Sequence, residues 1–406
     1  MLRSVGDLDQ YKYHINDIVI SKKGTNDQLV IQSSFIKSIS IVNNYDEHIM
    51  PIIQVVASVT KDVYKALTID EANLRALLIV YKSIVNSDTQ ARELVFKKTF
   101  EIRNEYDVQP EEFRTFINEK EDDNAIESDN PNALVDASFY LLDIENINRY
   151  RKLGSLSVNT TMTNALAAAF ASRGFTSVLM NRISGEYSGN IVAPTGNLLA
   201  TLSHLNKYYG IFDTPYLFFM DINKNYLLDK VNLGKAVDVD SPSRVSLFLE
   251  EDGTVEQTDV GCTKENDAYI VNMTEPPKIV KLDNLSELVD GSSIMGVDAS
   301  TQKVVHLNSG EGTLTKPAFV QNQKIVKQLQ HISKEMKSAL LVNLIDVDYD
   351  MIAPNLIYKV SAHKSYEALN PINGEYRLSH AIINLFKATD TEFSLTTNLT
   401  LRKIVK

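Results

Sequence analysis

Residues 45–67 read YDEHIMPIIQVVASVTKDVYKAL, and residues 349–369 read YDMIAPNLIYKVSAHKSYEAL. In both, Tyr-Asp leads to a proline, an aliphatic run and then Tyr-x-Ala-Leu: Tyr45-Asp46, Pro51 and Tyr64-Lys65-Ala66-Leu67 in one, Tyr349-Asp350, Pro354 and Tyr366-Glu367-Ala368-Leu369 in the other. A second match follows in the same order. Leu94, Phe96, Phe100 and Ile102 run up to Arg103 after Glu93; Phe393, Leu395, Leu399 and Leu401 run up to Arg402 after Glu392. Both are period-2 strands with one polar inward position, Lys98 and Thr397, so each has one buried and one wetted face. Self-similarity at the two ends predicts a duplicated β-domain, with Tyr64 equivalent to Tyr366 and Arg103 to Arg402.

Outward from these stretches, β-branched runs at Ile36–Val42 and Ile52–Val59 predict further strands, with Asn43-Asn44-Tyr45-Asp46 as the turn between them. Glu119–Asn124 and Asp129–Asn132 are acidic and polar, the composition of a linker or exposed loop. The middle third changes period. Leu166, Ala169, Phe170 and Arg173 fall at helical spacing before Gly174, and after Pro194-Thr195 Leu198, Leu199, Leu202, Leu205 and Tyr209 do so before Gly210. Tyr216–Met220 and Tyr226–Leu228 flank Asn223-Lys224-Asn225, a hairpin signal. Short β-like runs alternate with turns over 243–312, and Phe319–Met336 has helical spacing with Lys324, Lys327, Lys334 and Lys337. The expected class is α+β, mainly β: two duplicated β-barrel-like tube domains flanking an α/β middle domain and a β-rich insertion. The expected limits are 1–128, 129–235, 236–318 and 319–406, within the roughly two to four domains such a length suggests.

The totals exclude several functions. Among 406 residues, 52 Asp+Glu against 41 Lys+Arg leave a net charge of −11, which disfavours gripping nucleic acid because that needs cations to displace phosphate counterions. One cysteine, Cys262, permits neither an internal disulfide nor a cysteine zinc cluster. The seven histidines are scattered, without HExxH, and no GxSxG, P-loop or GxGxxG occurs. Asp221–Asn225 echoes a calcium loop but has Tyr226 where glycine is needed and Asn232 where glutamate is needed. Asp238-Val239-Asp240 and Asp346-Val347-Asp348-Tyr349-Asp350 read as solvated acidic faces. No catalytic, cofactor-binding or metal-binding residue is assigned. The apolar runs are too short to span a bilayer, and residues 1–7 lack the apolar core of a signal peptide, so a chain made in the host cytoplasm without membrane insertion is expected.

The chain resembles the baseplate hub proteins of contractile-tailed phages, relatives of the hub part of type VI secretion spike proteins. Asn373–His380 through Leu399–Arg402 resembles the closing strands of a hub tube domain, Tyr45–Leu67 the corresponding part of the first, and Thr161–Asp229 the middle domain. The resemblance implies a structural virion protein of the tail baseplate. It further implies a homotrimer whose paired tube domains form a pseudo-sixfold ring, joining the sixfold tail tube protein to the threefold central spike protein. Tape measure and baseplate wedge proteins would be further partners, and DNA would pass through without specific binding. The second tube domain is often discontinuous in such proteins, so Ala137–Asn148 is expected to lend strands to the C-terminal copy. The lumen is expected to be neutral or acidic, with the Phe319–Met336 helix outside it, packed on a tube domain. Two rival readings are a cell-wall hydrolase, separable by a lytic test, and a host-glycan-binding tail protein, disfavoured by the absence of Trp.

Overall fold

Strand-forming alternation and β-branched runs dominate the computed structural model. It describes residues 8–22, 24, 27–69, 74–85, 91–103, 134–151, 154–233, 242–249, 260–281, 294–297, 304–306, 318–320, 324, 327–328, 331, 338–362 and 371–404. The first strands are β1 (Tyr11–Ile15), β2 (Ile18–Lys22), β3 (Gln28–Ile31), β4 (Ile36–Asn44) and β5 (Ile52–Thr60). Helix α1 (Lys61–Ile69) leads to β6 (Leu74–Ile84), β7 (Glu93–Arg103) and β8 (Leu134–Leu142). The middle unit holds α2 (Ile144–Arg151), β9 (Gly154–Thr161), α3 (Met162–Ala171), β10 (Leu179–Met180), β11 (Ser188–Gly196), α4 (Leu198–Tyr209), β12 (Tyr216–Met220) and β13 (Asn225–Asp229). Then follow β14 (Arg244–Leu249), β15 (Cys262–Glu265), β16 (Ala268–Asn272), β17 (Lys278–Lys281), β18 (Ile294–Val297), β19 (Val304–His306) and β20 (Ala318–Val320). The last strands are β21 (Ser338–Ile345), β22 (Ile357–Ala362), β23 (Gly374–Lys387) and β24 (Phe393–Lys403). The class is α+β, mainly β.

Sixteen strands join one sheet whose pairings return to their start. A first closed course runs β23–β4–β5–β8–β7–β6–β1–β24 and back to β23. A second leaves β23 through β22, β14, β16 and β15, where Cys262 bridges Asp9. It continues through the Tyr11 N–H on the Asp346 carbonyl (2.9 Å) to the end of β21, which pairs with β24. The β23–β24 hairpin is therefore a wall common to both courses. Ile39, Val55, Phe139, Ile383, Leu395 and Leu399 are fully or almost fully buried on its inner side in a single large core.

The middle unit has its own core, built on Leu166, Phe170, Ile191, Leu198, Leu202 and Leu205. Both of its long helices start as their sequences dictate. The Thr161 side chain accepts the Asn164 N–H, the Asn197 side chain accepts the Ala200 N–H, and Gly210 (φ 75°) closes α4. Strand β12 is apolar on both sides because it serves two cores: Leu217 and Phe219 enter the large one, Phe218 and Met220 the smaller.

Several expectations require correction. Ala137–Asn148 does not join the C-terminal strands: β8 pairs with β5 and β7, and the chain then enters α2. Residues 236–318 are no self-contained insertion. Within them β14 pairs with β22 and β17 with β21, extending the main sheet, while β18, β19 and β20 form a small separate one. The repeat is matched only in part. β6–β7 and β23–β24 are both antiparallel hairpins, yet β4 pairs with β5 whereas β21 lies on β24 and β22 on β14 and β23. Arg103 is half-exposed beside Glu101 and Arg402 is buried beside Asp46, so their surroundings differ. Tyr366 lies outside the described residues. A bulge between Val80 and Tyr81 turns Leu94 outward and Val95 inward, against the period-2 reading.

Candidate functional site, a charge-free polar face across six strands

Successive residues of a strand point to opposite sides, so the face behind the large core can be followed strand by strand. Across β8, β5, β4, β23, β24 and β21 one row reads Tyr140–Gln54–Ser40–Asn384–Thr396–Ile345. The row on one side reads Ser138–Val56–Ser38–Phe386–Ser394. On the other side stand Ile52–Val42–Ile382–Asn398–Asn343, then Asn44–His380–Thr400–Leu341. No Lys, Arg, Asp or Glu occupies these rows. Their polar groups bond to one another: Ser40 Oγ donates to Asn384 Oδ1 (2.6 Å), and Gln54 Nε2 donates to Ser138 Oγ (2.8 Å). Val42, Ile52, Tyr140 and Ile382 form a small apolar patch within the face.

Charge is gathered at nodes that tie distant strands. Asp46, in the turn after β4, is 3.1 Å from Arg377 of β23, 3.2 Å from Arg402 of β24 and 2.5 Å from Lys230 beyond β13. Burial alone would raise its carboxyl pKa; the cations outweigh that and hold it well below the usual carboxylate range. Asp348 and Asp350, in the turn after β21, each lie 2.7 Å from Lys82 of β6. Burial pushes the Asp348 carboxyl up, opposed chiefly by Lys82. Lys12 holds Asp346 at 2.6 Å. Each turn is thus clasped by the hairpin of the other terminal segment. The 346–350 cluster is not the solvated face that alternation suggested: Asp346 and Asp348 are buried and paired with cations from β1 and β6, which no local pattern announces. Asp238 and Asp240 lie outside the described residues.

The middle unit is fixed at two further points. Asn223 Nδ2 donates to the Val95 carbonyl (2.7 Å), and Lys98, paired with Asp143, donates to the Ile222 carbonyl (3.1 Å). Asp221–Asn225 is accordingly a hairpin tip pressed on β7. Phe319 and Val320 end strand β20 and do not begin the expected helix, while Lys324, Lys327 and Gln328 bond to this unit. Lys324 Nζ donates to the Ser184 and Ile211 carbonyls, Lys327 pairs with Asp213 (2.9 Å), and Gln328 meets Asn206 and the Phe212 carbonyl. Among the described residues no group of His, Cys, Asp and Glu is arranged to hold a metal ion, and no helix is long and apolar enough to cross a membrane.

The family model described as Bacteriophage PBS1 gene 109 protein matches residues 6–404. No curated protein matches the chain. Among solved structures, the chain is similar to the tail protein from Neisseria meningitidis MC58, with a TM-score of 0.53 and 11% identity over 97% of each chain. It is also similar to the 43 kDa tail protein of prophage MuSo2 from Shewanella oneidensis (TM-score 0.49, 12% identity, 95% of this chain and 97% of that one). A third is the E. coli c3393 protein, a type VI secretion system component (TM-score 0.41, 9% identity, 94% of this chain and 76% of that one).

Proposed function

Given that the chain belongs to the Bacteriophage PBS1 gene 109 protein family, we propose that it is a structural protein of a phage tail and, more finely, the trimeric hub of the baseplate. In this reading three copies form a ring between the sixfold tail tube and the threefold central spike, with tape measure and wedge proteins around it. DNA crosses the ring without being held, and no reaction is catalysed.

The observation that carries the reading is the charge-free face. A conduit for a polyanion must neither bind nor repel it, and affinity for phosphate comes from Lys and Arg. Four rows across six strands present hydroxyls, amides and apolar groups, and the charges that border them are paired, Lys37 with Asp136 and Lys12 with Asp346, which suits a lumen wall. The similarity in fold to the Neisseria meningitidis MC58 tail protein supports the coarser reading, a phage tail protein. The test is native mass spectrometry of the full chain, alone and with the spike. A trimer in either sample is expected; a dimer or true hexamer in both counts decisively against the hub.

A further inference from the structure

Both closed courses of strands pass through the same short stretch, and there the backbone ladder is thinnest. β1 pairs with β6 along its whole length, Tyr11 to Ile15. On its other flank its only ladder pair with β24 is Tyr13 with Phe393. The second course closes on the same strand through the mutual Asp9 and Cys262 backbone hydrogen bonds (3.2 and 3.0 Å) and the Tyr11 N–H on the Asp346 carbonyl. Side chains supply what the ladder lacks. The fully buried Tyr13 donates its hydroxyl to the Val347 carbonyl (2.7 Å) and accepts the Tyr349 N–H (2.8 Å). Lys12 Nζ reaches Asp346 Oδ2 (2.6 Å) and Ser394 Oγ (2.8 Å).

We propose that β1 is a strap shared by both courses, pinned by Tyr13 and Lys12, so that they open and close together at one seam. The strap stays with β6, where its ladder is continuous, and parts from β15, β21 and β24, where side chains hold it. Stability is not uniform across a structure, and the region with the fewest cooperative bonds opens first. Here that region is common to two rings, which couples them at the seam as the β23–β24 wall couples them elsewhere.

Hydrogen–deuterium exchange on the full chain tests this. In Tyr13→Phe the Val347 carbonyl and Tyr349 N–H lose their buried partner. Peptides holding the Tyr11 and Cys262 amides should then exchange about 10- to 100-fold faster, together, while β4–β5 peptides keep their protection. Lys12→Met, which keeps the buried hydroxyl, should accelerate the same two peptides more modestly; it serves if Tyr13→Phe fails to fold. The strap is overturned if the Tyr11 and Cys262 peptides respond independently, if β4–β5 accelerates equally, or if neither folded variant changes them.

Discussion

Asp46 is one carboxylate answering three cations from three parts of the chain, and its substitution reports on the whole joint. Asp46→Asn removes the carboxylate charge that lies beside buried Arg377 and Arg402. Removing one partner of a buried pair destabilises by about 3–5 kcal/mol, which urea unfolding at neutral pH should show. Its pH dependence follows from a folded pKa below the unfolded one. Asp46 contributes stability above the ordinary carboxylate value, and that contribution is lost as pH falls below it. Asp221 has the opposite sign. Burial pushes its carboxyl up to about 6, opposed by the Ile222 N–H and Lys98, so the folded chain holds the proton more tightly and loses stability as pH rises from the ordinary carboxylate value to about 6. Asp221→Asn should be more stable than the parent at pH 7 and no more stable at pH 4, by urea midpoints. The sequence marked both residues, Asp46 in the repeat and Asp221 in the calcium-loop echo, but not the burial and partners that set their charge. The arginines of Asp46 and the partners of the 346–350 cluster lie more than two hundred residues away.

Among the elements, the β23–β24 hairpin carries the greatest load because both courses use it. Ile383, fully buried on its inner side between Ile41 and Thr397, is its central residue. Ile383→Ala should lower stability by about 2–5 kcal/mol in one transition, with far-UV circular dichroism and tyrosine fluorescence changing at the same urea concentration. Separate transitions would mean that the courses are energetically independent. The elements themselves were legible: Ile36–Val42 and Ile52–Val59 follow from β-branched runs, the closing strand at Phe393–Leu401 from alternation, and the helices before Gly174 and Gly210 from helical spacing. Pairing was not. Nothing local says that β8 goes to β5, or that β14 slots in parallel beside β22, because a strand's period declares its faces and not its neighbours. Likewise a bulge of one residue reversed Leu94 and Val95, although Phe96, Phe100 and Ile102 face inward as read.

For the whole molecule, the repeat was the useful signal, even though its two copies pair differently. It pointed to related β segments at both ends of the chain, which the structure joins into one sheet. The charge-free face was half legible: Ser394, Thr396, Asn398 and Thr400 alternate with apolar residues in the sequence, but the face exists only once Ser38, Ser40 and Gln54 are brought alongside. A net charge of −11 per chain and a face whose bordering lysines are paired with carboxylates predict no retention of duplex DNA even at low salt, where electrostatic affinity is greatest. A gel-shift titration checks this; tight, salt-sensitive binding would require a basic surface turned toward the DNA.

The shared hairpin also governs when the protein can become itself. β4 pairs at once with β5, but its other edge finds a partner only in β23, more than three hundred residues later, and β1 meets β24 later still. During synthesis the N-terminal strands therefore emerge with an open edge and no wall to close against, and they wait until 374–403 leave the ribosome. Long-range pairing of this kind is slow and leaves sticky edges exposed meanwhile. A ribosome-stalled chain ending at residue 233 should bind holding chaperones, and release of the full chain should clear them.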